Sequence, residues 1–271
     1  MQSPIDITSL LKAALIEDIG SGDLTSNAII PATMQACFAM QARDPIVVCG
    51  LVYVPEIFTM IDPAVRVEIL VAEGEYVAAG TPLATLSGPA RALLAGERTA
   101  LNLVQQLSGV ATLTRQYVEA VAGTTATILD TRKTIPGWRA LQKYAVACGG
   151  GKNHRMGLFD AVLIKDNHIA VAGGVRAAVE AARGAVAPGI TLEVECDTLN
   201  QLEEALAAGC DVVLLDNMDH ATLAEGVRRA HAAGVKAEAS GNVSLSTVRA
   251  IAETGVDFIS VGKLTHSAPA V

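Results

Sequence analysis

The chain has 271 residues and a formal net charge of −8 at pH 7, and 51% of its residues are apolar while only 3% are aromatic. The acidic balance argues against a general nucleic-acid binder, which needs a basic face for the phosphates. The aliphatic composition is typical of helices packed on buried parallel strands, and it excludes a disordered or fibrous chain.

Five cysteines occur without CxxC spacing, so we expect reduced, buried thiols and neither a zinc site nor a disulfide framework. The N-terminal segment lacks the basic region and apolar core of a signal peptide. No apolar run reaches the roughly 18 residues needed to span a bilayer. These features predict a cytoplasmic protein with no membrane partner.

The first hundred residues predict a helix, a small sheet and a second, longer helix. Helical periodicity covers Ile5–Ile19, and strand patterns follow at Gln35–Ala42, Ile46–Cys49, Val65–Leu70 and Pro82–Leu86. The segment VAEGEYVAAGTPLATLSG is similar to the hairpins of biotinyl or lipoyl carrier domains, but no lysine stands at its turn, which favours a structural sheet. A helix from about Ala90 to Ala122, which carries Arg98, then joins the two halves of the chain.

From Thr124 onwards, strand-like runs alternate with alanine-rich helical segments. The six runs are TATILDTR, AVLIKDN, TLEVEC, VVLLDN, KAEASG and DFISVG. Their spacing matches that of βα units, which predicts a parallel sheet with right-handed crossovers. Six strands are fewer than the eight of a full barrel, and the pattern allows a seventh near Ala172–Ala178. We predict an incomplete (β/α) barrel rather than an open doubly wound sheet.

Polar or glycine residues stand at the end of each predicted strand. Because the C-termini of parallel barrel strands lie on one rim, where active sites are built, we expect these residues to converge. They are Arg132, Lys133, Lys165, Glu195, Asp216, Ser240, Gly241 and Gly262. The alternative is that these polar residues have no function and only mark where each strand ends. Their repetition over six strands weakens this alternative.

The charges in this half of the chain indicate the kind of ligand. Seven basic residues fall within one short stretch: Arg132, Lys133, Arg139, Lys143, Lys152, Arg155 and Lys165. Arginine suits carboxylates and phosphates because it donates two parallel N–H bonds to them, so this density predicts a small polyanion. A solvated basic face is the alternative.

The late strands suggest a phosphate site and a neighbouring cation site. Backbone N–H groups at Ser240, Gly241 and Gly262 suit a monophosphate, with Ser244 as a candidate cap of the helix that follows. Carboxylates cannot bind an anion directly. We therefore expect Glu195 and Asp216 to bind sugar hydroxyls or a Mg²⁺ ion that bridges a diphosphate.

Common nucleotide and hydrolase motifs do not fit the sequence. The run GGGK resembles the end of a Walker A loop, but Val146 and Asn153 stand where that motif needs glycine and serine or threonine. No GxGxxG follows a strand, and neither HExxH nor GxSxG occurs. His154 and His168 are further candidates for site residues.

The chain resembles the quinolinate phosphoribosyltransferases, also called carboxylating nicotinate-nucleotide pyrophosphorylases. The core of the resemblance is LDTRKTIPGWRALQKYAVACGGGKNHRMGLFDAVLIKDNHI, and EDIGSGDLTS, GERTALNLVQQLSGVAT, LEVE, LLDNM, EASGNV and VDFISVGKLTHSA match as well. The segments occur in order over nearly the whole chain. Ile135 and Trp138 depart from the residues usual at those positions.

The resemblance implies the fold and the reaction of a type II phosphoribosyltransferase. The α/β chain would comprise an N-terminal α+β open sandwich with a bridging helix, residues 1–110, followed by an incomplete α/β barrel that is the catalytic domain, residues 111–271. It would work as a head-to-tail homodimer. The reaction would convert quinolinate and phosphoribosyl pyrophosphate to nicotinate mononucleotide, pyrophosphate and carbon dioxide, with Mg²⁺, in NAD biosynthesis.

The resemblance also implies roles for single residues. The quinolinate carboxylates would be surrounded by Arg132, His154, Arg155 and Lys165, and Arg98 would reach into the neighbouring subunit's site. Lys133 would lie between the diphosphate and quinolinate. Glu195 and Asp216 would face the ribose hydroxyls and Mg²⁺, and the 5′-phosphate would be held by Ser240, Gly241 and Gly262. The catalytic set would be Lys133, Glu195, Asp216 and Lys165, with Lys165 assisting decarboxylation.

Two alternatives stay open. One is a related phosphoribosyltransferase of the molybdenum-locus type, against which the intact KDNHI and GGGKNHR segments argue. The other is a non-catalytic ligand-binding homologue, which would be expected to have lost Lys133, Glu195 or Asp216; all three are present.

Overall fold

The computed structural model describes residues 6–271, which form two compact units. The first unit contains the chain up to Arg115 together with Thr134–Gly150 and Lys263–Val271. The second contains Gln116–Lys133 and Gly151–Gly262. The division at residue 110 expected from the sequence stays a prediction.

The N-terminal part of the first unit is an α+β arrangement. Its helices are α1 (Ile7–Ile19), α2 (Leu24–Ile29), α3 (Val54–Ile61), which follows a 3₁₀ turn at Leu51–Tyr53, and α4 (Ala90–Ala120), which continues into the second unit. Asp6 and Asp23 cap α1 and α2, because each carboxylate accepts a hydrogen bond from the backbone N–H three residues later. The aspartate of the SGDLTS segment is therefore a helix cap.

Five strands form the sheets of the first unit. They are β1 (Gln35–Gln41), β2 (Ile46–Val47), β3 (Arg66–Ile69), β4 (Tyr76–Val77) and β5 (Pro82–Pro89). One antiparallel sheet has the order β1-β5-β3, and β2 pairs with β4. The four strands predicted from sequence are confirmed with shifted ends, while β4 was not predicted as a separate strand and lies in the segment VAEGEYVAAGTPLATLSG, which was expected to form a structural sheet.

The later parts of the first unit contain α5 (Arg139–Cys148) and a short helix at Lys263–His266. Buried Gln142 holds them in place: its amide oxygen accepts from the N–H of Ile135 at 2.8 Å, and its amide nitrogen donates to the carbonyl of Thr265 at 2.5 Å. A buried amide is tolerated here because both of its ends are hydrogen-bonded.

The second unit is built on a six-stranded parallel sheet. Its strands are β6 (Thr127–Leu129), β7 (Val162–Ile164), β8 (Leu192–Cys196), β9 (Val212–Asp216), β10 (Lys236–Ser240) and β11 (Phe258–Ser260), in the order β6-β11-β10-β9-β8-β7. The helices between them are α6 (Asp166–Ala172), α7 (Val175–Ala185), α8 (Leu199–Ala208), α9 (His220–Ala232) and α10 (Val248–Ala252). Aliphatic side chains of β8 and β9, among them Val194 and Val213, are fully buried.

The predicted incomplete barrel is confirmed, with six strands in this unit of the described chain. Strands β6 and β7 are the edge strands of this sheet. Lys152 forms a parallel bridge to Leu129 on the outer side of β6. This bridge is how the segment after Gly151 reaches the sheet.

Two sequence expectations were wrong in this unit. The stretch 172–178 contains no strand: Gly173 and Gly174 separate α6 from α7, and Val175 and Ala178 are buried at helical spacing. Ser244 does not cap the next helix. It forms a turn in which the Thr247 hydroxyl accepts from the Ser244 N–H at 3.0 Å, so that α10 begins only after Thr247.

Within residues 6–271, no helix combines the length and the apolar character needed to cross a membrane.

Candidate active site

The carboxyl ends of the parallel strands in the second unit bring together the residues expected at a common rim. Lys165 follows β7, Glu195 is the second-last residue of β8, Asp216 ends β9 and Ser240 ends β10. Arg132 and Lys133 follow β6, and Gly262 follows β11. Because these strands are hydrogen-bonded neighbours that run in the same direction, their ends meet at one edge of the sheet.

An ion pair joins two of these strand ends. The ammonium of Lys165 contacts the carboxylate of Glu195 on the neighbouring strand, and the lysine side chain is 43% exposed while the glutamate is 14% exposed. The backbone N–H of Lys165 donates to Nδ1 of His168 at 2.9 Å, so His168 serves as a helix cap of α6. The pair leaves the lysine accessible from solvent.

Asp130 positions the segment that contains His154. This buried carboxylate follows β6 and accepts from the N–H of His154 at 2.9 Å and from the amide of Asn153 at 2.7 Å. Its burial indicates a structural role, since a buried carboxylate needs several donors to be tolerated.

His154 faces two buried carboxylates on the barrel strands. Its Nε2 lies 2.9 Å from Glu193 and 3.6 Å from Glu238. Its Nδ1 accepts from the N–H of Arg155 at 2.7 Å, so the proton of a neutral imidazole lies on Nε2 and is donated to Glu193. The histidine ring is thereby fixed in orientation and tautomer.

Glu193 and Glu238 were missed as site residues by sequence analysis. Burial, together with the nearby Glu193 carboxylate, raises the pKa of Glu238 well above its usual range, so this site favours the protonated form of Glu238. The available signal was a carboxylate at a buried position in each of two hydrophobic strands, LEVEC and KAEAS. One ligand atom from each of His154, Glu193 and Glu238 lies within 4.8 Å of the other two, so the trio also has the composition of a metal site.

Two arginines in this unit lie near each other. Burial and the positive charge of Arg132 lower the pKa of Arg155, although a guanidinium remains charged at neutral pH. Arg155 donates from Nη1 to the carbonyl of Ala161 at 3.1 Å, while its buried Nε has no hydrogen-bond partner among the described residues. Two nearby cations with an unsatisfied donor form a site that an anion would stabilise.

The loops after β9 and β10 are hydrogen-bonded to each other and closely packed. The N–H of Asn217 donates to the carbonyl of Ser240 at 3.0 Å, and the amide of Asn217 donates to Asp216 at 2.5 Å. Gly241 has a φ of 92°, and a Cβ at that position would lie 2.1 Å from Oδ1 of Asn217. Only glycine permits this contact, which brings the predicted phosphate-binding backbone beside Asp216.

The carboxylates of Glu195 and Asp216 have the chemistry of Mg²⁺ ligands. Both are half-buried and lie on the adjacent strands β8 and β9, and both offer the oxygen donors that Mg²⁺ prefers. The ammonium of Lys165 already contacts Glu195, so a Mg²⁺ ion would share this carboxylate with the lysine. The two groups fit a partial ligand set of the kind that substrate oxygens and water complete.

The remaining predicted residues are the exposed Lys133, at the same strand ends, and basic residues that belong to the first unit. Lys133 is exposed and its N–H donates to the hydroxyl of Thr131 at 3.0 Å. Arg98 belongs to the first unit, where it lies on α4 and lines a cavity of about 680 Å³ together with Arg43, Asp44 and Glu97. Arg139 and Lys143 of the basic stretch also belong to the first unit, and Lys143 is buried there.

Comparison with known proteins identifies the family. The profile of the quinolinate phosphoribosyl transferase N-terminal domain matches residues 23–108, and that of the C-terminal domain matches residues 110–271. The chain belongs to the quinolinate phosphoribosyltransferase family. The resemblance read from the sequence is therefore confirmed.

Relatives within this family are similar over nearly their whole length. A probable nicotinate-nucleotide pyrophosphorylase [carboxylating] of Bacillus subtilis is 44% identical over 97% of this chain and 90% of its own. The Mycobacterium leprae nicotinate-nucleotide pyrophosphorylase [carboxylating] is 46% identical over 95% and 92%. The solved nicotinate-nucleotide pyrophosphorylase of Francisella tularensis is 39% identical, with a TM-score of 0.92 over 100% of this chain and 95% of that one. This similarity supports the quinolinate phosphoribosyltransferase fold throughout the chain.

Proposed function

We infer that the protein transfers the phosphoribosyl group of phosphoribosyl pyrophosphate to quinolinate, and that nicotinate mononucleotide, pyrophosphate and carbon dioxide are formed, as in NAD biosynthesis. The observation that carries this inference is the pair of neighbouring cations, Arg132 and Arg155, in a chain of this family; the buried Nε of Arg155 has no hydrogen-bond partner among the described residues. Relatives named for the same reaction support it.

Quinolinate has two carboxylates on adjacent ring carbons. We propose that Arg132, His154 and Arg155 bind them, with Lys165 at the edge of the same pocket. The arginines match a carboxylate with two parallel N–H donors, and the fixed ring of His154 adds directionality. Nicotinate has one carboxylate, so it would leave buried cations unpaired at a cost of a few kcal/mol.

The phosphoribosyl donor is assigned to the other strand ends. Its 5′-phosphate binds the backbone at Ser240, Gly241 and Gly262, because tight loops at the end of barrel strands present N–H groups to phosphate. The carboxylates of Glu195 and Asp216 bind the ribose hydroxyls. They also stabilise the positive charge that develops on the ribose ring as the diphosphate leaves.

The exposed ammonium of Lys133 neutralises the departing diphosphate in this proposal. Glu195 and Asp216 would hold Mg²⁺, which supplies positive charge to the same group when bound. The ring nitrogen of quinolinate is the nucleophile, so no side chain forms a covalent bond.

Decarboxylation follows from the charge on the ring. After the transfer, the ring nitrogen is positive and favours loss of the adjacent carboxylate as carbon dioxide. Lys165 lies at the same rim, and in this proposal its ammonium stabilises the negative charge left on the ring carbon until that carbon takes a proton from water, which gives the product. Its ion pair with Glu195 holds it there.

A direct activity measurement tests the function. The full chain is mixed with quinolinate, phosphoribosyl pyrophosphate and Mg²⁺, and carbon dioxide and nicotinate mononucleotide are quantified. We expect equal amounts of both products, and a kcat/KM with nicotinate that is lower by about 100-fold or more. Turnover with another base but none with quinolinate would overturn the proposal.

We also propose a cytoplasmic homodimer in which Arg98 completes the neighbouring subunit's site. Arg98 is exposed on α4 and lies beside a cavity, so its charge is available to another molecule. The test combines two inactive variants, Arg98→Ala and Lys133→Ala, coexpressed in equal amounts. Half of the dimers would be mixed and would contain one intact site, so about a quarter of wild-type activity is expected. A mixture that stays inactive would show that Arg98 acts within its own chain.

A further inference from the structure

A second reactive cluster lies in the first unit, outside the candidate active site. The sulfur atoms of Cys49 and Cys148 and one carboxylate oxygen of Glu73 all lie within 4.8 Å of one another. Cys49 is buried just after β2, whereas Cys148 is partly exposed at the end of α5. Two thiols from distant parts of the chain are thus in contact range.

The backbone around both thiols is held firmly. The hydroxyl of Ser108 on α4 accepts from the N–H of Cys49 at 3.0 Å and donates to its carbonyl at 3.1 Å. Gly74 donates to the carbonyl of Val48 at 2.8 Å, and the backbone of Cys148 packs against Gly74. The two sulfurs are therefore kept together by the fold on both sides.

Tyr144 lies one helical turn before Cys148 and so faces the same cluster. Its hydroxyl donates to Glu73 at 3.1 Å, and Tyr144 also helps to lower the pKa of Cys148. A hydrogen bond from Cys49, supported by Tyr144, lowers the pKa of Cys148 despite its partial burial. The interaction with Cys148 and burial both raise the pKa of Cys49. The first proton therefore leaves from Cys148, the more exposed of the two thiols.

The hydrogen bonds of Glu73 favour a thiol pair over a metal site in this cluster. It accepts from the N–H of Gly50 at 2.8 Å, from the N–H of Val52 at 3.2 Å and from Tyr144. With three donors bound, this carboxylate holds the loop after β2 in place. Two thiols alone are too few ligands for a structural zinc site, which takes four.

We propose that Cys49 and Cys148 form a reversible intramolecular disulfide, with Cys148 as the thiol that reacts first with a peroxide. The Cys148 thiolate attacks one peroxide oxygen, so that the O–O bond breaks, a sulfenic acid forms and hydroxide leaves. Cys49 then attacks that sulfur, the S–O bond breaks, and the leaving hydroxide takes the Cys49 proton as water. The two thiols lose two electrons and two protons, and hydrogen peroxide becomes two molecules of water.

The second unit supplies an internal control. Cys196 and Cys210 are both buried, and burial raises the pKa of Cys196 to about 12 and that of Cys210 to about 11. Both therefore remain neutral thiols near pH 7, and a neutral thiol reacts poorly with peroxide. Oxidation of Cys49 and Cys148 without oxidation of Cys196 and Cys210 would therefore reflect the lower thiol pKa of Cys148.

The experiment treats the reduced full chain with hydrogen peroxide near neutral pH and maps its peptides without reduction. We expect a loss of two hydrogens per chain, one peptide that joins positions 49 and 148, and its disappearance after dithiothreitol. Cys37→Ser, which removes an exposed thiol, should retain this link. Cys148→Ser should lose it, and Tyr144→Phe should form it several-fold more slowly.

Three results would overturn the proposal. One is Cys148 oxidised to sulfinic acid while Cys49 remains a free thiol. Another is a disulfide in the wild-type chain that joins a different pair. The third is one equivalent of zinc that copurifies with the chain and is lost in Cys148→Ser, which would identify a metal site. The wild-type peptide map decides the question even if a variant does not fold.

Discussion

Two clusters of side chains, one in each unit, differ in how their carboxylates are hydrogen-bonded. In the second unit, His154 faces Glu193 and Glu238; in the first unit, Cys49 and Cys148 face Glu73. Glu73 is satisfied by two backbone N–H groups and a tyrosine hydroxyl. The carboxylates beside His154 instead depend on its ring and on a proton held by Glu238. Glu73 therefore positions the loop after β2, whereas Glu193 and Glu238 surround the ring of His154.

The largest effect is expected when His154 is removed. His154→Ala eliminates a proposed contact with quinolinate and leaves Glu193 buried without its donor. We expect kcat/KM for quinolinate to fall by about 100-fold or more, with a raised KM. Steady-state kinetics with each substrate varied in turn measures this. An unchanged KM for quinolinate would place His154 outside the substrate pocket.

A matched pair of substitutions separates the two carboxylates. Glu193→Gln removes the negative charge that accepts from His154, and we expect activity to fall by about tenfold. Burial favours the neutral, protonated form of Glu238, and Glu238→Gln introduces a neutral amide of the same shape, so activity should change by less than about threefold. Equal losses in the two variants would contradict the assignment of the proton to Glu238.

The proton on Glu238 also predicts a pH dependence of stability. Its pKa is raised in the folded state, so between the ordinary value of 4.5 and the raised value the folded chain binds more protons than the unfolded chain. The free energy of unfolding should therefore fall as pH rises through this window and level off above it. Urea unfolding at several pH values measures the slope. In Glu238→Gln the free energy of unfolding should depend less steeply on pH than in the wild-type chain. An equal slope in the variant and the wild type would show that Glu238 does not cause the pH dependence.

The smallest effect is expected in the first unit. Glu73→Gln keeps one acceptor oxygen but loses the other, so one backbone N–H of the loop after β2 is left without a partner. We expect a loss of about 1–2 kcal/mol in the free energy of unfolding, measured in urea. Glu68→Gln, an exposed glutamate of the same unit, is the control and should change stability little. Catalytic constants should be unchanged in both.

The strands and their ends were predictable because a buried parallel strand is an apolar run that stops at a polar residue. That pattern located Lys165, Asp216 and Ser240 correctly at the carboxyl ends of β7, β9 and β10. Short or irregular elements were not predictable, as the missed strand β4 and the false strand at 172–178 illustrate. Such segments contain too few residues for a period to be distinguished.

The cysteines mark the limit of sequence patterns most clearly. Their spacing indicated reduced, buried thiols, yet Cys37 is exposed and Cys148 is only partly covered. Nothing in the chain order indicates that Cys49 and Cys148 are neighbours. Their contact depends on how α5 packs beside the loop after β2 within the first unit.

The sequence by itself determined the family, the alternation of strands and helices, and the residues that end each strand, because these depend on local periodicity and on long shared motifs. Only the tertiary structure decided which carboxylates are buried together, which of them holds a proton, and which thiols meet. These properties depend on distance and on burial. Both are set by packing between segments that are far apart in the chain, and a pKa shift exists only once that packing has removed water.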